Sequence, residues 1–467
     1  MPTRARISGR RPVLRLALTA SLFALACLRA GAAGAVDQPP AIVHPNDRAL
    51  IPDLVQTFYA DRTHALVWAD DRRFDLLLDA IAGLLEHGLD PENYHLSSLR
   101  RLRGNPIARD RLATDAWLSA AAHLLLGKVD PLRIEPDWTA HSRHADLSAG
   151  LDAALRSGDI ANALFAYAPK HPEYRALRLE LRRLQLSPDA VATPSAASRL
   201  AADGPAPSRT ERMARLRANL ERWRWLPDDL GTRHVRVNIA GFRVERFEHG
   251  RSVATHRAIV GRTYRKTPVF SSLIRYVVLN PWWETPASIA ARDELPMFRR
   301  DPGAVQRLGF QVLDARGNAL DPAGIDWRNV SADPFPFRLR QAPGPLNALG
   351  RAKVMFPNVH NVYLHDTPAR ELFEQQQRTF SSGCVRTQNV LALIEWLFQD
   401  SSTWTPAQLR STVDSGRETH IALPSPVPVH ILYLTAERDG DRIRYLGDVY
   451  DRDAGLLKAL ERDPHDR

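Results

Sequence analysis

The chain has 467 residues, of which 44% are apolar, enough to bury more than one core, and this length favours two domains. Its formal net charge is +10, but residues 1–35 hold six arginines and no acid, which leaves 57 Lys and Arg against 53 Asp and Glu. This near balance excludes the basic footprint of a nucleic-acid-binding protein. After the N-terminus, no long hydrophobic run predicts a stable membrane span.

The first 35 residues predict a signal peptide. A head with five arginines between residues 4 and 15 precedes a mostly apolar run over residues 16–28, and Ala33-Gly34-Ala35 offers a cleavage site. The apolar run is too short to span a bilayer as a mature helix. Three alternatives to a general signal peptide remain. Arg10-Arg11 resembles part of a twin-arginine signal, residues 24–27 resemble a lipoprotein box, and the segment could also stay uncleaved as an anchor helix. The sequence therefore predicts an exported, periplasmic protein.

Residues 46–184 follow a helical period and predict a small all-α domain. Apolar residues from Phe74 to Leu85 recur at i, i+3, i+4 and i+7, and His87-Gly88 supplies a stop. Further helices are predicted over residues 114–125, 151–155 and 174–184. Residues 187–208 are rich in Ala, Pro and Ser and predict a linker, because such a composition buries too little apolar surface to order itself.

The remaining chain is predicted to be rich in β-strands. A helix that begins at Thr210 and ends near Pro227 comes first, and Val235, Val237 and Ile239 then alternate with polar residues before a turn at His249-Gly250. Further strands are predicted over residues 275–279, 310–313, 352–356, 362–365 and 429–436. One helix with Val390, Leu391, Ile394 and Leu397 on its apolar face interrupts them after Thr387.

A single cysteine, Cys384, remains once the signal is removed. A lone cysteine in an exported protein is either a reactive thiol or a buried one, because it cannot close an internal disulfide. His365 lies 19 positions upstream and is the candidate base, with Asp366 or a nearby backbone carbonyl to orient its imidazole. The amides of Gly383 and Cys384 are candidate oxyanion donors. His360 has no such spacing and is interpreted as a surface residue.

These residues resemble the active-site signature of a known family. His-Asp-Thr-Pro at 365–368, followed by Ser-Ser-Gly-Cys-Val-Arg at 381–386, closely resembles the signature of L,D-transpeptidases with a YkuD-type catalytic domain. The likeness extends over about residues 210–455, and the helical part resembles the scaffold region of the large periplasmic members. Further matching segments are residues 219–225, 260–262, 280–283, 286–289, 340–345, 347–350 and 356–358.

The resemblance implies an α+β fold with an N-terminal all-α scaffold domain (residues 46–184) and a mainly-β catalytic domain (residues 210–455). Residues 287–339 would form a capping subdomain over the cleft, with a decorated surface loop as the alternative. The resemblance also implies that Cys384 attacks meso-diaminopimelate in a tetrapeptide stem, releases D-Ala and passes the acyl group from a thioester to a second stem as a 3→3 cross-link. It implies no metal and no organic cofactor, and it implies carbapenems as inhibitors.

Four further residues are candidates for substrate binding. Arg386 would contact a carboxylate of the stem, with a pair to a nearby acid as the alternative. Tyr363 and Asn347 are candidates for lining the acyl pocket, with core packing and turn formation as their alternatives. Ser382 stands where many members of the family have a histidine, which leaves the base role to His365 alone.

Two other functions stay open at this stage. The first is the same chemistry with water as acceptor, which is a peptidoglycan L,D-carboxypeptidase or endopeptidase. The second is a non-catalytic wall-binding protein with an inactive cleft, against which the intact pair of Cys384 and His365 argues. The identity of the acceptor separates the first from a transpeptidase.

Overall fold

The N-terminal part of the chain is helical, as its period predicts. The computed structural model describes residues 50–60, 62, 65–140, 142–186 and 207–462. The predicted signal peptide and residues 187–206 of the predicted linker lie outside the described residues. The helices of this part are α1 (Leu50–Ala60), α2 (Asp71–Gly83), α3 (Leu96–Arg101), α4 (Pro106–Leu126), α5 (Pro131–Ile134), α6 (Leu147–Ser157), α7 (Ile160–Phe165) and α8 (Pro172–Leu186).

Capping residues set where these helices begin and end. The Asp70 side chain accepts a hydrogen bond from the Arg73 amide at 2.9 Å at the start of α2, which satisfies a backbone donor that has no partner within the helix. A 3₁₀ turn, Leu84–His87, continues from α2, and Gly88 ends it at a φ of 76°, a left-handed conformation that favours glycine. The stop predicted at His87-Gly88 is confirmed.

Helix α9 (Arg209–Arg224) joins the helical part to the strands that follow. It begins with a capping box, in which Ser208 accepts from the Glu211 amide at 3.2 Å and Glu211 accepts from the Ser208 amide at 2.7 Å. Leu220 and Trp223 of α9 pack in one hydrophobic core with helices α1 to α4, with α6 to α8 and with Leu434. The helical part and the β-rich part therefore share buried apolar surface.

The β-rich part is built on one large sheet. In the described segments its strands run in the order β11-β3-β12-β10-β9-β4-β13-β1-β2, and β2 also pairs with β3. The strands are β1 (Arg233–Asn238), β2 (Arg243–Glu248), β3 (Arg251–Gly261), β4 (Phe270–Leu279), β9 (Ala352–Met355), β10 (Leu364–His365), β11 (Thr379–Ser381), β12 (Val385–Thr387) and β13 (Thr419–Leu432). Helices α13 (Val390–Leu397) and α14 (Pro406–Asp414) cover its apolar face.

Residues 283–341 form a smaller unit with a core of its own. Its strands β5 (Trp283–Thr285), β6 (Phe310–Leu313), β7 (Ala319–Leu320) and β8 (Arg338–Gln341) pair in the order β5-β8-β6-β7. The helical segments are α10 (Ala287–Ile289), a π-helical turn (Ala290–Glu294), α11 (Leu295–Arg300) and α12 (Ala304–Arg307). Phe298 and Trp327 are buried between them, with ring centroids 5.0 Å apart. A surface loop has no such core, so this alternative is wrong.

The last predicted strand, over residues 429–436, is the main error of the sequence interpretation. Strand β13 begins earlier, at Thr419. Pro424, Pro426 and Pro428 interrupt the alternation of apolar and polar residues around a register shift, and the sequence pattern therefore does not reveal where the strand begins. The strand ends at Leu432, and the amides of Leu434 and Thr435 then donate to the side-chain oxygens of Asn238 and Asn219. A separate hairpin of β14 (Ala436–Asp439) and β15 (Arg442–Tyr445) follows, and α15 (Asp453–Glu461) packs against α9.

No helix in the described ranges is long and apolar enough to cross a bilayer.

Candidate active site

Two neighbouring strands bring the predicted base and nucleophile together. Strand β10 pairs with β12 in parallel, with Leu364 opposite Val385 and His365 opposite Arg386. Leu364 and Val385 are fully buried in the core below the sheet. Because side chains alternate across a strand, Tyr363, His365, Cys384 and Arg386 share the other face. The residues that lie 19 positions apart in sequence therefore meet at one place.

The Cys384 thiol is half-buried and electrically neutral at neutral pH. Its Sγ donates to the backbone carbonyl of Asn361 at 3.6 Å. Burial raises the pKa of Cys384 to about 11 and outweighs the opposing influences of Tyr363 and of the positive charges of Arg386 and Lys353. The thiol therefore needs a base before it can attack a carbonyl.

The His365 imidazole has the protonation state that a base needs. Its Nδ1 lies 2.6 Å from the carbonyl oxygen of Asp366, and since a carbonyl only accepts, Nδ1 carries the hydrogen and Nε2 keeps its lone pair. Burial, followed by the charges of Arg386 and Lys353, lowers the pKa of His365 to about 3. Of the two predicted orienting groups it is the carbonyl that contacts the ring, because the Asp366 carboxylate accepts from the Arg351 amide at 3.0 Å instead.

These two pKa shifts predict how alkylation of the thiol depends on pH. We expect the rate of iodoacetamide reaction at Cys384 to rise about tenfold per pH unit from neutral pH towards its pKa of about 11, because only the thiolate reacts and its fraction keeps growing. Mass spectrometry of the labelled peptide measures this rate. A plateau reached below neutral pH would instead reveal a thiolate paired with an imidazolium.

The loop before the cysteine holds Gly383 in a conformation that only glycine adopts readily. Its φ is 121°, its amide donates to Ser381 Oγ at 3.1 Å, and its carbonyl accepts from Thr267 Oγ1 at 2.8 Å. The oxyanion contact predicted for the Gly383 amide is therefore not formed in this geometry, because Ser381 already takes that hydrogen. Of the two amides proposed for that role, the one of Cys384 remains.

Ser382 connects the nucleophile loop to the smaller unit at residues 283–341. Its Oγ donates to Asp293 Oδ2 at 3.2 Å and accepts from Arg265 Nη1 at 3.0 Å, while Arg265 and Asp293 also pair with each other. Asp293 lies in the π-helical turn, a rare conformation that is frequent at functional sites. Nothing in the local sequence pattern indicates this turn, so sequence reasoning missed both Asp293 and Arg265.

The other predicted substrate-binding residues differ in their surroundings. Arg386 is half-buried, its Nε has no hydrogen-bond partner, and it forms no ion pair with a described carboxylate, so the predicted alternative of a nearby acid is not seen there. The Tyr363 side chain lies beside Cys384, and burial, followed by the influence of this cysteine, raises the pKa of the tyrosine. Its ring lies 5.7 Å from that of His365, centroid to centroid. Arg386 and Tyr363 thus lie at the thiol.

Asn347 lies in a turn and its side chain is only 1% exposed. Its amide nitrogen lies 2.8, 3.2 and 3.0 Å from the carbonyl oxygens of Pro281, Gln341 and Ala342, and its own oxygen accepts from the Leu349 amide at 2.8 Å. These contacts fit the alternative of turn formation. Across the described ranges, no group of three or more His, Cys, Asp or Glu side chains is placed to share a metal ion.

Comparison with known proteins assigns both parts of the chain. Residues 232–413 match the family model of the L,D-transpeptidase catalytic domain, YkuD, and residues 53–181 match that of the Scaffold domain. This chain carries a YkuD-type L,D-transpeptidase catalytic domain and a scaffold domain. The family and the α+β fold class predicted from the sequence are confirmed.

Two individual proteins match parts of this chain. A curated Haemophilus influenzae protein named "Putative L,D-transpeptidase" is 35% identical over 245 residues, which cover 52% of this chain and 49% of that relative. The chain thus spans about half the length of the curated relative it matches. The crystal structure of L,D-transpeptidase 1 from Mycobacterium tuberculosis is 13% identical, with a TM-score of 0.17 over 43% of this chain and 61% of that one.

Proposed function

We propose that this protein is a peptidoglycan L,D-transpeptidase that forms 3→3 meso-diaminopimelate cross-links through a thioester on Cys384. The observation that carries the proposal is the placement of a neutral thiol and a neutral imidazole on one face of adjacent strands. They lie in a domain that matches the L,D-transpeptidase family. A base with a free Nε2 suits a thiol that cannot ionise by itself.

The first half of the reaction makes the thioester. His365 Nε2 takes the proton from Cys384 Sγ as sulfur bonds to the carbonyl carbon of meso-diaminopimelate in the tetrapeptide stem. The resulting oxyanion is held by the Cys384 amide. The imidazolium then gives its proton to the nitrogen of D-Ala, the carbon–nitrogen bond breaks, and D-Ala leaves with the acyl group on sulfur.

The second half transfers the acyl group. The side-chain amine of diaminopimelate in a neighbouring stem attacks the thioester carbonyl and loses a proton to His365 Nε2. The carbon–sulfur bond breaks, and the thiolate recovers its proton from the imidazolium. Tyr363 would help to keep His365 in place during this step, because the two rings lie 5.7 Å apart, centroid to centroid. The product is a new amide, and the enzyme returns to its initial state.

The surroundings of the site support the remaining assignments. Arg386, with an unpartnered buried Nε, would bind a stem carboxylate, and Asn347 would hold the turn beside the cleft. Residues 287–339 would act as a capping subdomain, since Asp293 already contacts Ser382 next to the nucleophile. Removal of residues 1–35 as a signal peptide would place the enzyme in the periplasm, where its substrate is.

The decisive experiment uses purified tetrapeptide muropeptides. We expect the protein to release D-Ala and to form dimers joined through two diaminopimelate residues, which liquid chromatography and mass spectrometry detect. Tripeptides without dimers would assign water as the acceptor and make the protein a carboxypeptidase. If neither product forms, the proposed function is wrong and a wall-binding role gains support.

Carbapenems provide a second test of the thiol. We expect a carbapenem to acylate Cys384, because its strained ring presents a carbonyl where the stem carbonyl would lie, and to add its mass to the intact protein. The adduct should be missing from Cys384→Ala and after prior treatment with iodoacetamide. An adduct on a serine, or none after prolonged excess of drug, would contradict a nucleophilic Cys384.

A further inference from the structure

Two cations flank the base on both sides in the large sheet. His365 of β10 lies opposite Arg386 of β12 on one side and opposite Lys353 of β9 on the other. Neighbouring strands lie about 4.8 Å apart, and residues in register share one face of the sheet. Lys353, His365 and Arg386 therefore form a row across three strands, with the imidazole in the middle.

Contacts of Lys353 confirm that its ammonium reaches the site. Its Nζ lies 5.8 Å from the centroid of the Tyr363 ring, the same ring that borders the thiol and the imidazole. Lys353 is half-buried, and burial lowers its pKa. The positive charges of Lys353 and Arg386 both act on the Cys384 thiol and on His365.

Neither cation has a counter-ion within the described chain. No carboxylate of the described residues forms an ion pair with Lys353 or Arg386. The acidic charge that acts on Lys353 is Glu418, which accepts from the Trp282 amide at 2.9 Å, and the one that acts on Arg386 is the exposed Glu371. Leaving charges half-buried without partners costs free energy. Such a cost is reasonable where a bound ligand brings the missing negative charge.

We propose that Lys353 and Arg386 together bind a carboxylate of the acyl donor across His365, so that the site selects donors that are anionic beside the scissile bond. This inference rests on the proposed function and names a second binding residue for its donor. A bound carboxylate would also stabilise the imidazolium that forms between the two cations when Cys384 gives up its proton. The carboxylate should therefore raise the acylation rate as well as tighten binding.

The tetrapeptide stem offers two such carboxylates. One is the terminal carboxylate of D-Ala, and the other is the side-chain carboxylate of diaminopimelate. Three donors separate them: the native stem, a stem ending in D-alaninamide, and a stem whose diaminopimelate side-chain carboxylate is amidated. Each is tested on wild type, Lys353→Met, Arg386→Met and the conservative Lys353→Arg, with the exposed Lys458→Met as matched control.

The expected result is a coupling between residue and carboxylate. We expect amidation at one of the two positions to lower the kcat/KM of wild type for release of D-Ala or D-alaninamide about 10- to 100-fold. This is the effect expected from the loss of one hydrogen bond to a charged group. The same amidation should lower the kcat/KM of Lys353→Met only a few-fold, since this variant already lacks the ammonium that would bind the carboxylate. Lys353→Arg should retain most of the coupling, and Lys458→Met should behave as wild type. Equal losses in wild type and Lys353→Met for both amidated stems would overturn the proposal.

A second measurement tests the two cations without any stem peptide. Iodoacetate is anionic and iodoacetamide is neutral, and both alkylate the Cys384 thiol. We expect the ratio of their rates, iodoacetate over iodoacetamide, to fall about tenfold or more in Lys353→Met and in Arg386→Met. An unchanged ratio in both variants would overturn the proposal. If the ratio falls in both variants but the protein releases no D-Ala, the anion-binding site is supported and the transpeptidase function is wrong.

Discussion

Replacing Cys384 with alanine is expected to abolish D-Ala release and cross-link formation while leaving the fold intact. The thiol is the group that we propose forms the thioester, and no other cysteine occurs among the described residues. The side chain is half-buried and donates only to the Asn361 carbonyl at 3.6 Å, so its loss opens little space and leaves few contacts unmade. Product analysis by mass spectrometry and a thermal unfolding curve measure the two effects.

Cys384→Ser is the matched control for this change. A hydroxyl has the same shape as the thiol but is a far weaker nucleophile, so we expect this variant to be almost as inactive as Cys384→Ala. Both variants should unfold within a few degrees of wild type, because a substitution away from the packed core shifts stability by little. Near-normal cross-linking by Cys384→Ala would reject the thioester route.

The sequence predicts the pairing of thiol and imidazole because both lie next to strands with clear alternation. Leu364 and Val385 are apolar and fully buried, so His365 and Cys384 must turn to the other face. What the sequence hides is the register between strands that are distant along the chain. Lys353 lies in a correctly predicted strand, but only its pairing with β10 shows that it faces His365.

Backbone conformation is the second thing that the sequence does not reveal. The motif names Gly383 as a candidate oxyanion donor, yet the direction of its amide depends on a φ of 121° and on the Ser381 hydroxyl. The Asp293 carboxylate reaches Ser382 from a π-helical turn that no residue pattern signals. Both contacts are set by tertiary packing and not by local preference.

Ser382 also explains a departure from the family pattern. Many members of the family have a histidine at this position, and here the hydroxyl bridges Arg265 and Asp293 instead. The smaller unit at residues 283–341 is thereby tied to the residue before Gly383. If this unit caps the cleft, as we propose, its position is coupled directly to the nucleophile loop.

His365 should carry the whole base role, and its removal is the second large effect that we expect. His365→Ala should lower the rate of D-Ala release at neutral pH by about two orders of magnitude or more, the usual worth of general-base catalysis. The reason is the thiol itself. With a pKa of about 11, Cys384 is ionised in only about one molecule in ten thousand at neutral pH, so attack without a base is rare.

The pH profile separates loss of the base from mere loss of packing. In wild type, Nε2 of His365 is free to accept a proton above its pKa of about 3, so the acylation rate should depend little on pH between weakly acidic and neutral conditions. In His365→Ala the remaining rate should rise about tenfold per pH unit, because it follows the thiolate fraction of Cys384. Stopped assays of D-Ala release across this range give both slopes.

His360→Ala is the matched control for His365→Ala, because it removes another imidazole from the same loop and strand region. Nδ1 of His360 lies 3.6 Å from the Asp137 carboxylate, its ring centroid is 5.3 Å from that of Phe270, and among the described residues it has no contact with Cys384 or His365. We expect this variant to retain the wild-type rate and the flat profile. If instead His365→Ala stays within a few-fold of wild type with a flat profile, another group accepts the thiol proton and the role given to His365 is wrong.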